Sequence, residues 1–357
     1  MNYLTLQNQC FSGLFEDEAV AQEFGTAATL GRFLAFEIAL TRALAGAGVV
    51  DQPTAASAVA QMHTFHPDLA AIARAVPFDG LPVPEFARQL KAHIGVKLAH
   101  AVHTGATSQD LIDTAMILAI KELNLLLATR LKQVIATLTE LSAAQGGNAL
   151  MARTRMQAAL PITVAERLQT WQLPLSSHLE RLQQLRPRLE KMQFGGAVGD
   201  RALPTGAGET VARQMAQTLG LHHADKAWHS MRDGVADYAS WLSLVTGSLG
   251  KMGQDICLMA QQGLDEIRLS GAGSSSAMPH KQNPVQAEML VSFARYNAVQ
   301  LGGMHQALVH EQERSGAAWT LEWMILPAMV AVTVRALASA DNLLKNVEQI
   351  GAPSSAP

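Results

Sequence analysis

Hydrophobic residues recur at helical spacing along two long stretches of the chain. One run advances by threes and fours through Met116, Ile120, Leu123, Leu127, Leu131, Val134, Leu138 and Leu141. A second alternates fours and threes without a break through Tyr238, Leu242, Val245, Leu249, Met252, Ile256 and Met259. A period near 3.5 residues is typical of helices packed side by side at small crossing angles. The pattern predicts an all-α protein with a long-helix bundle, formed either within one chain or between several chains.

Four stretches interrupt this helical pattern and are expected to be irregular. They span residues 103–109, 146–161, 194–208 and 270–284. Thr163 followed by Glu166 has the spacing of a capping box, which predicts that a helix begins just after Pro161. Up to Val102 the chain carries Pro53, Pro67, Pro77, Pro82 and Pro84, which favour short helices. We therefore expect an N-terminal helical domain (1–107), a central long-helix bundle (108–350) and a short tail (351–357).

Composition narrows the class of protein. The chain has 357 residues, of which 48% are hydrophobic and 16% charged, and this balance excludes a disordered chain. A net charge of -3 supplies no general attraction for nucleic acid or an anionic membrane, so neither is an expected partner. The sequence shows neither a signal peptide nor an uninterrupted apolar run of about 18 residues, and the expected location is the cytoplasm. Cys10 and Cys257 are too few and too far apart for a disulfide framework.

The first polar segment that could carry chemistry is His103-Thr-Gly-Ala-Thr-Ser-Gln-Asp110. It places His103, Thr107, Ser108 and Asp110 where the first long helix begins. Backbone N–H groups are unpaired at such a position and favour an anion. An ordinary N-cap, with Asp110 complementing the helix dipole, explains the same residues.

The second segment is Arg153-Thr154-Arg155-Met-Gln157, just before the helix expected after Pro161. Two arginines and a glutamine can hold a carboxylate through paired hydrogen bonds. A solvated pair of surface charges is the alternative interpretation.

The third segment runs from Gly271 to Pro284 and is rich in small and hydroxyl-bearing residues. Such a loop can close over an anion, with Lys281 as a fixed charge and Asn283 as a hydrogen-bond donor. A flexible linker is the alternative, although linkers seldom combine Met278-Pro279, Lys281 and Asn283-Pro284.

We expect neither a metal nor a cofactor. The candidate ligand groups His63, His66 and Asp68, and His222, His223 and His229, have spacings that fit no well-defined metal site. Gly271-Ala-Gly273 follows no strand and is therefore not a nucleotide-binding fingerprint.

The three segments, in this order between long helices, resemble the fumarase/aspartase superfamily. Residues 273–284 match its signature loop, G-S-S-x-x-M-P-x-K-x-N-P, and the likeness extends from about Gly31 to about Met324. Within the superfamily the chain is most similar to the 3-carboxy-cis,cis-muconate cycloisomerases. The residues that carry this closer likeness are 103–110, Met278 to Lys281, Trp228 to Asp233, Glu313-Arg314, Trp319 and Glu322-Trp323.

Two departures from the superfamily pattern are informative. Lyases of the superfamily usually have Arg-Thr-His at the second segment, where this chain has Arg153-Thr154-Arg155. An arginine titrates too high to shuttle protons near neutral pH but suits a carboxylate, which favours a cycloisomerase. The chain also ends soon after the last bundle helix, and we expect the superfamily's small C-terminal domain to be absent.

The resemblance implies the following roles. Ser275 on the mobile loop would exchange the proton, and Lys281 and Asn283 would hold the developing aci-carboxylate. The carboxylates of a small tricarboxylate substrate would be bound by His103, Thr107, Ser108, Asp110, Arg153, Thr154, Arg155, Gln157, Ser274, Ser276, Met278 and Arg314.

The resemblance also implies a homotetramer whose central helices form one shared bundle, with each active site built by several subunits. The run from Tyr238 to Met259 is what such an assembly would require. Two other functions stay open. The chain could be an adenylosuccinate lyase-type enzyme that releases fumarate, which Arg155 disfavours. It could also be a non-catalytic structural relative, which the presence of Ser275, Lys281 and Asn283 disfavours.

Overall fold

The computed structural model describes residues 9–270, 273–274 and 282–352. The described chain is all-α in class, as expected, with short strands between helices. Its helices are α1 (Ser12–Phe15), α2 (Glu18–Glu23), α3 (Thr26–Gly46), α4 (Gln52–Met62), α5 (Leu69–Asp79), α6 (Val83–Ile94), α7 (Ser108–Gln145), α8 (Val164–Leu189), α9 (Gly208–Leu219), α10 (Asp233–Met259), α11 (Val285–Gln306) and α12 (Ala317–Lys345).

Three antiparallel two-stranded sheets are formed by strands that lie between these helices or just after the last one. Their strands are β1 (Ala149–Thr154) with β2 (Gln157–Thr163), β3 (Ile267–Leu269) with β6 (Val347–Ile350), and β4 (Gly273–Ser274) with β5 (Gln282–Asn283). The expectation that residues 146–161 are irregular was therefore wrong, because most of this stretch forms a β-hairpin. The expected capping box is confirmed: Thr163 precedes α8, and its backbone N–H donates to Glu166 Oε2 at 2.7 Å.

Prolines in the N-terminal part start helices more often than they interrupt them. Pro53 and Pro84 lie in the first turns of α4 and α6, where a missing N–H costs no intrahelical bond. Pro77 lies inside α5. The helices α4, α5 and α6 are short, as expected, whereas α3 extends over 21 residues.

Both hydrophobic runs form buried seams on the two long helices for which they were predicted. The run on α7 is buried from Ile120 to Leu141, and Met116 at its start is partly buried. Every member of the run on α10, from Tyr238 to Met259, is at most 2% exposed. The α10 seam is thus filled by the chain itself, so the seam alone does not indicate an assembly of chains.

One helix of the described chain, α12, is long and apolar enough to cross a membrane by length and composition. In its most apolar window, 78% of the residues are buried inside the bundle. This is the behaviour of a core helix packed among α7, α10 and α11.

The long helices define two ends of the bundle. At the first end, Arg232 at the start of α10 and Trp319 at the start of α12 both contact Asp113, in the second turn of α7. At the second end, Gln145, the last residue of α7, accepts a hydrogen bond from the backbone N–H of Ile350 on β6 at 2.8 Å. A helix of 38 residues rises about 57 Å, so these two ends are far apart.

Candidate active site

The first predicted segment forms the entry to α7. Thr107 is the N-cap residue in extended conformation, Ser108 is the first helical residue, and Asp110 occupies the third position. The backbone N–H of Thr107 donates to Asp110 Oδ2 at 2.9 Å, which completes a capping box. The capping interpretation is therefore correct for Thr107 and Asp110, and Ser108 stays partly exposed beside them.

Asp110 does more than cap the helix, because its fully buried carboxylate connects three segments. Its Oδ1 accepts a hydrogen bond from Nε2 of His229 at 2.7 Å. Its Oδ2 also accepts from the backbone N–H of Gly196 at 2.9 Å, in the glycine-rich loop 194–208. A carboxylate with three N–H donors is strongly held. Asp110 thus has a structural role, since it holds the start of α7, His229 and the glycine-rich loop together.

Arg314 lies over the same glycine-rich loop. Its Nη2 donates to the carbonyl oxygens of Gly196 at 3.2 Å and Ala197 at 3.0 Å. The rest of the residue is exposed. The structure therefore brings Arg314 to the same end of the bundle as His103, Thr107 and Ser108.

His103 is held by a buried acid from the N-terminal helices. Its backbone N–H and its Nδ1 approach the two carboxylate oxygens of Glu37 at 2.9 and 2.6 Å. Burial lowers the pKa of His103, but the hydrogen bond and the charge of Glu37 outweigh it, so the pKa lies above its ordinary value. His103, at the start of α7, is consequently protonated more readily than an ordinary histidine.

A cluster of buried charged side chains lies close to the start of α7. The guanidinium of Arg232 binds Asp113 through Nη1 at 2.7 Å and Nη2 at 3.2 Å, and it binds Glu322 through Nε at 2.9 Å. Trp319 donates its indole N–H to Asp113 at 3.0 Å. The guanidinium carbon of Arg232 also lies 4.7 Å from the ring centre of Trp228, a cation–π distance. The cluster clamps the starts of α7, α10 and α12 together.

The second predicted segment forms the tip of the β1–β2 hairpin. Thr154 pairs with Gln157, and the two residues between them, Arg155 and Met156, have φ values of 49° and 68°. A two-residue turn of this kind normally carries Asn or Gly, so arginine and methionine are strained there. Arg153, Thr154, Arg155 and Gln157 are all exposed, and Arg153 donates to Glu266 at 2.8 Å.

The third predicted segment is described only in part. Ser275, Ser276, Met278 and Lys281 lie outside the described residues, and for Ser274 only the backbone is described. Gly273 and Ser274 pair with Asn283 and Gln282, and Asn283 is partly buried. The backbone N–H of Ser270 donates to the carbonyl oxygen of Asn346 at 2.8 Å, which anchors this segment beside β6.

Within one chain the first segment and the hairpin do not meet. The first segment, with Arg314, lies where α7 begins, whereas the hairpin lies where α7 ends, as does Ser270, which precedes the third segment. Ala149 at the base of the hairpin pairs with Ala352, just beyond β6, which fixes the second segment at that end. A helix of 38 residues, about 57 Å long, separates the two groups.

No group of three or more His, Cys, Asp or Glu side chains among the described residues is placed to hold a metal ion. Of the histidine groups considered above, His66 binds the carbonyl oxygen of Thr64, His223 faces Glu209 and His229 faces Asp110.

Several supporting residues were not predicted as site residues. Glu37, Asp113 and His229 are buried polar side chains, and Glu37 could have been noticed as a lone acid in the apolar stretch Phe33-Leu-Ala-Phe-Glu-Ile-Ala-Leu40. Arg232 and Glu322 belong to segments quoted above for the resemblance, but the pattern gave them no role.

A family model described as Lyase matches residues 13–296. Among curated proteins, 3-carboxy-cis,cis-muconate cycloisomerase of Pseudomonas aeruginosa is 35% identical over 96% of this chain and 76% of its own length. The enzyme of the same name from Acinetobacter baylyi is 33% identical over 96% of this chain and 77% of its own length. Among solved structures, the 3-carboxy-cis,cis-muconate lactonizing enzyme of Pseudomonas putida superposes with a TM-score of 0.89 at 35% identity, covering 96% of this chain and 77% of that one.

Proposed function

The chain belongs to the Lyase family of the fumarase/aspartase superfamily, and from this premise we propose that it is a 3-carboxy-cis,cis-muconate cycloisomerase. The enzyme interconverts 3-carboxy-cis,cis-muconate and carboxymuconolactone, a step in the breakdown of aromatic acids through protocatechuate. The observation that carries this assignment is the likeness to cycloisomerases, in sequence and in structure, over nearly the whole chain. The relatives bearing that name do not favour the adenylosuccinate lyase or non-catalytic alternatives.

The reaction needs positively charged side chains that bind the substrate carboxylates, and it needs one exchangeable proton. A carboxylate oxygen of the substrate adds to a carbon–carbon double bond conjugated to a second carboxylate, which becomes a doubly charged aci-carboxylate. A proton then arrives at the adjacent carbon and restores the ordinary carboxylate. We assign that proton to Ser275, whose alkoxide form needs loop N–H groups and a nearby cation. Lys281 and Asn283 stabilise the aci-carboxylate.

Substrate binding is assigned to groups on both sides of the site. His103, whose pKa is raised, suits one carboxylate together with Thr107 and the partly exposed Ser108 at the start of α7. Arg155 and Gln157 at the tip of the hairpin suit another carboxylate. The strained backbone of the turn at Arg155 restricts the direction in which its side chain extends. Arg314 is close enough to the first segment to take part, although in this structure it binds loop carbonyls.

We propose a homotetramer with composite active sites, because a single chain separates the predicted segments. A second chain packed antiparallel along the bundle would bring its hairpin to the first chain's His103. Exposed apolar residues on the long helices support such packing, among them Leu173 on α8, Leu244 on α10 and Val299 on α11. The cytoplasm remains the proposed location.

The activity is tested by ultraviolet absorbance of purified protein mixed with 3-carboxy-cis,cis-muconate. Cyclisation removes the conjugated diene, so activity appears as a loss of absorbance. Ser275→Ala should abolish the loss, whereas Ser292→Ala, a surface change on α11, should leave it intact. Fumarate released from adenylosuccinate, with no cyclisation, would contradict the assignment. A monomer in analytical ultracentrifugation would contradict the composite-site proposal.

A further inference from the structure

Glu37 has no ion-pair partner among the described residues other than His103. The acid lies on α3 and is fully buried, whereas the His103 side chain keeps 15% of its surface exposed. Each carboxylate oxygen has its own hydrogen bond, Oε2 from the backbone N–H at 2.9 Å and Oε1 with Nδ1 at 2.6 Å. A buried carboxylate needs such partners, because leaving one unpaired costs several kcal/mol.

The double contact also explains the backbone of His103. Its φ of 60° lies in the left-handed region, which a non-glycine residue occupies at a cost of about 1–3 kcal/mol. Holding the backbone N–H and the imidazole of one residue on one carboxylate restricts both φ and the ring orientation. The strained residue belongs to the first predicted segment, and the strain accompanies a fixed position of the His103 ring.

The contact selects the ring nitrogen that is available to a ligand. An ionised carboxylate only accepts hydrogen bonds, so Nδ1 of His103 carries the hydrogen in this pair. Nε2 is then the ring's free nitrogen, and it donates to a ligand only when the imidazole is a cation.

Three charged groups from different elements act on this ring. Burial lowers the pKa of His103; the hydrogen bond and charge of Glu37 raise it and prevail. Lys91 on α6 lowers the pKa and Asp110 on α7 raises it, both by smaller amounts. Glu37 therefore determines the direction of the shift.

We propose that Glu37 is a positioning residue that fixes the His103 ring and keeps it positively charged, so that Nε2–H binds a substrate carboxylate. This deepens the proposed function, on which the substrate part of the inference rests. The charge and orientation of the ring can be measured without any substrate.

The first test is an NMR titration of the protein labelled at histidine Cε1, with the His103 signal identified by its loss in His103→Gln. In the unaltered protein the His103 midpoint should lie above the ordinary histidine value of 6.5. In Glu37→Gln the midpoint should fall by about one pH unit or more. Glu190→Gln is the matched control, since Glu190 is also buried but binds Arg186 and Asn124 instead; it should leave the midpoint unchanged.

The second test is kinetic and distinguishes a loss of charge on His103 from a general folding defect. A one-unit fall in the midpoint reduces the cationic fraction about tenfold at a pH above both midpoints. KM for 3-carboxy-cis,cis-muconate in Glu37→Gln should therefore rise about tenfold near pH 8 and approach that of the unaltered enzyme near pH 6, with kcat changing less.

The outcomes are distinct. A His103 midpoint below 6.5 in the unaltered protein overturns the inference even if Glu37→Gln fails to fold. An unchanged midpoint in a folded Glu37→Gln, or a KM ratio independent of pH, also overturns it. If the protein does not cyclise 3-carboxy-cis,cis-muconate but the midpoint shifts as expected, the proposed function fails while the Glu37–His103 relationship stands.

Discussion

Arg232 and Asp113 form an ion pair through two hydrogen bonds, of 2.7 and 3.2 Å, with both side chains at most 1% exposed. Glu322 shares the same guanidinium, which therefore neutralises one of two buried carboxylates. Burial lowers the pKa of Arg232, but Asp113 and Glu322 raise it by more, so the guanidinium stays charged. Asp113 lies in the second turn of α7, so the Arg232–Asp113 ion pair supports the start of α7, where the first segment lies.

Arg232→Met should destabilise the protein by about 3–5 kcal/mol, because Asp113 and Glu322 would remain buried without the guanidinium that pairs with both. The measurement is the free energy of unfolding in urea. Arg188→Ala is the control: Arg188 pairs with Asp237 at 2.9 Å, and both side chains are more than half exposed. The control should change stability by less than about 1 kcal/mol. Equal effects of the two variants would contradict the expected energetic importance of burial.

Asp110→Asn should lower both stability and cycloisomerase activity. The carboxylate accepts from Thr107, Gly196 and His229, whereas an amide offers one oxygen and turns two hydrogens toward donors. We expect a loss of about 2–4 kcal/mol in the free energy of unfolding. Asp237→Asn, on the surface, is the matched control and should cost less than about 1 kcal/mol. Full activity in Asp110→Asn would show that the loop 194–208 does not depend on this bond.

His178 gives a pH dependence of stability with a defined sign. Burial, and then the charge of Arg181, lower the pKa of His178 from 6.5 to about 4. The unfolded chain therefore takes up this proton first, so the contribution of His178 is complete above about pH 6.5 and is lost as the pH falls toward 4. Between these limits, His178→Gln should lose about 3 kcal/mol less stability than the unaltered protein. Parallel curves of unfolding free energy against pH would contradict this.

The sequence predicted the main helices because their signals are local. The α7 and α10 runs, and the Thr163–Glu166 cap, depend on residues within one or two turns. The hairpin at 149–163 was missed because most of its residues are exposed in the single chain, so neither strand shows apolar–polar alternation. The domain division at residue 107 remains a prediction.

The candidate site was predicted less completely, for a physical reason. Spacing identifies caps and exposed cations, and it indicated His103, Thr107 and Arg155. The partners of a buried acid lie far away in sequence, as Glu37 does from His103 by 66 residues, and no local pattern predicts such a pair. The α10 seam shows a related limit of local patterns, since helical periodicity says that a face is buried and not which chain buries it.

The separation of the segments predicts that two inactive variants restore each other. His103→Ala removes a group at the start of α7, and Arg155→Ala removes one on the hairpin beyond its end. In a mixed tetramer, some sites would combine an intact His103 from one subunit with an intact Arg155 from another. Subunits exchanged by mild denaturation and refolding should regain about a quarter of normal activity, on the order expected for random pairing of two subunits. Each variant refolded alone is the control. Persistent inactivity of mixtures shown to be hybrid by mass would place both residues in one subunit's site and contradict the composite arrangement.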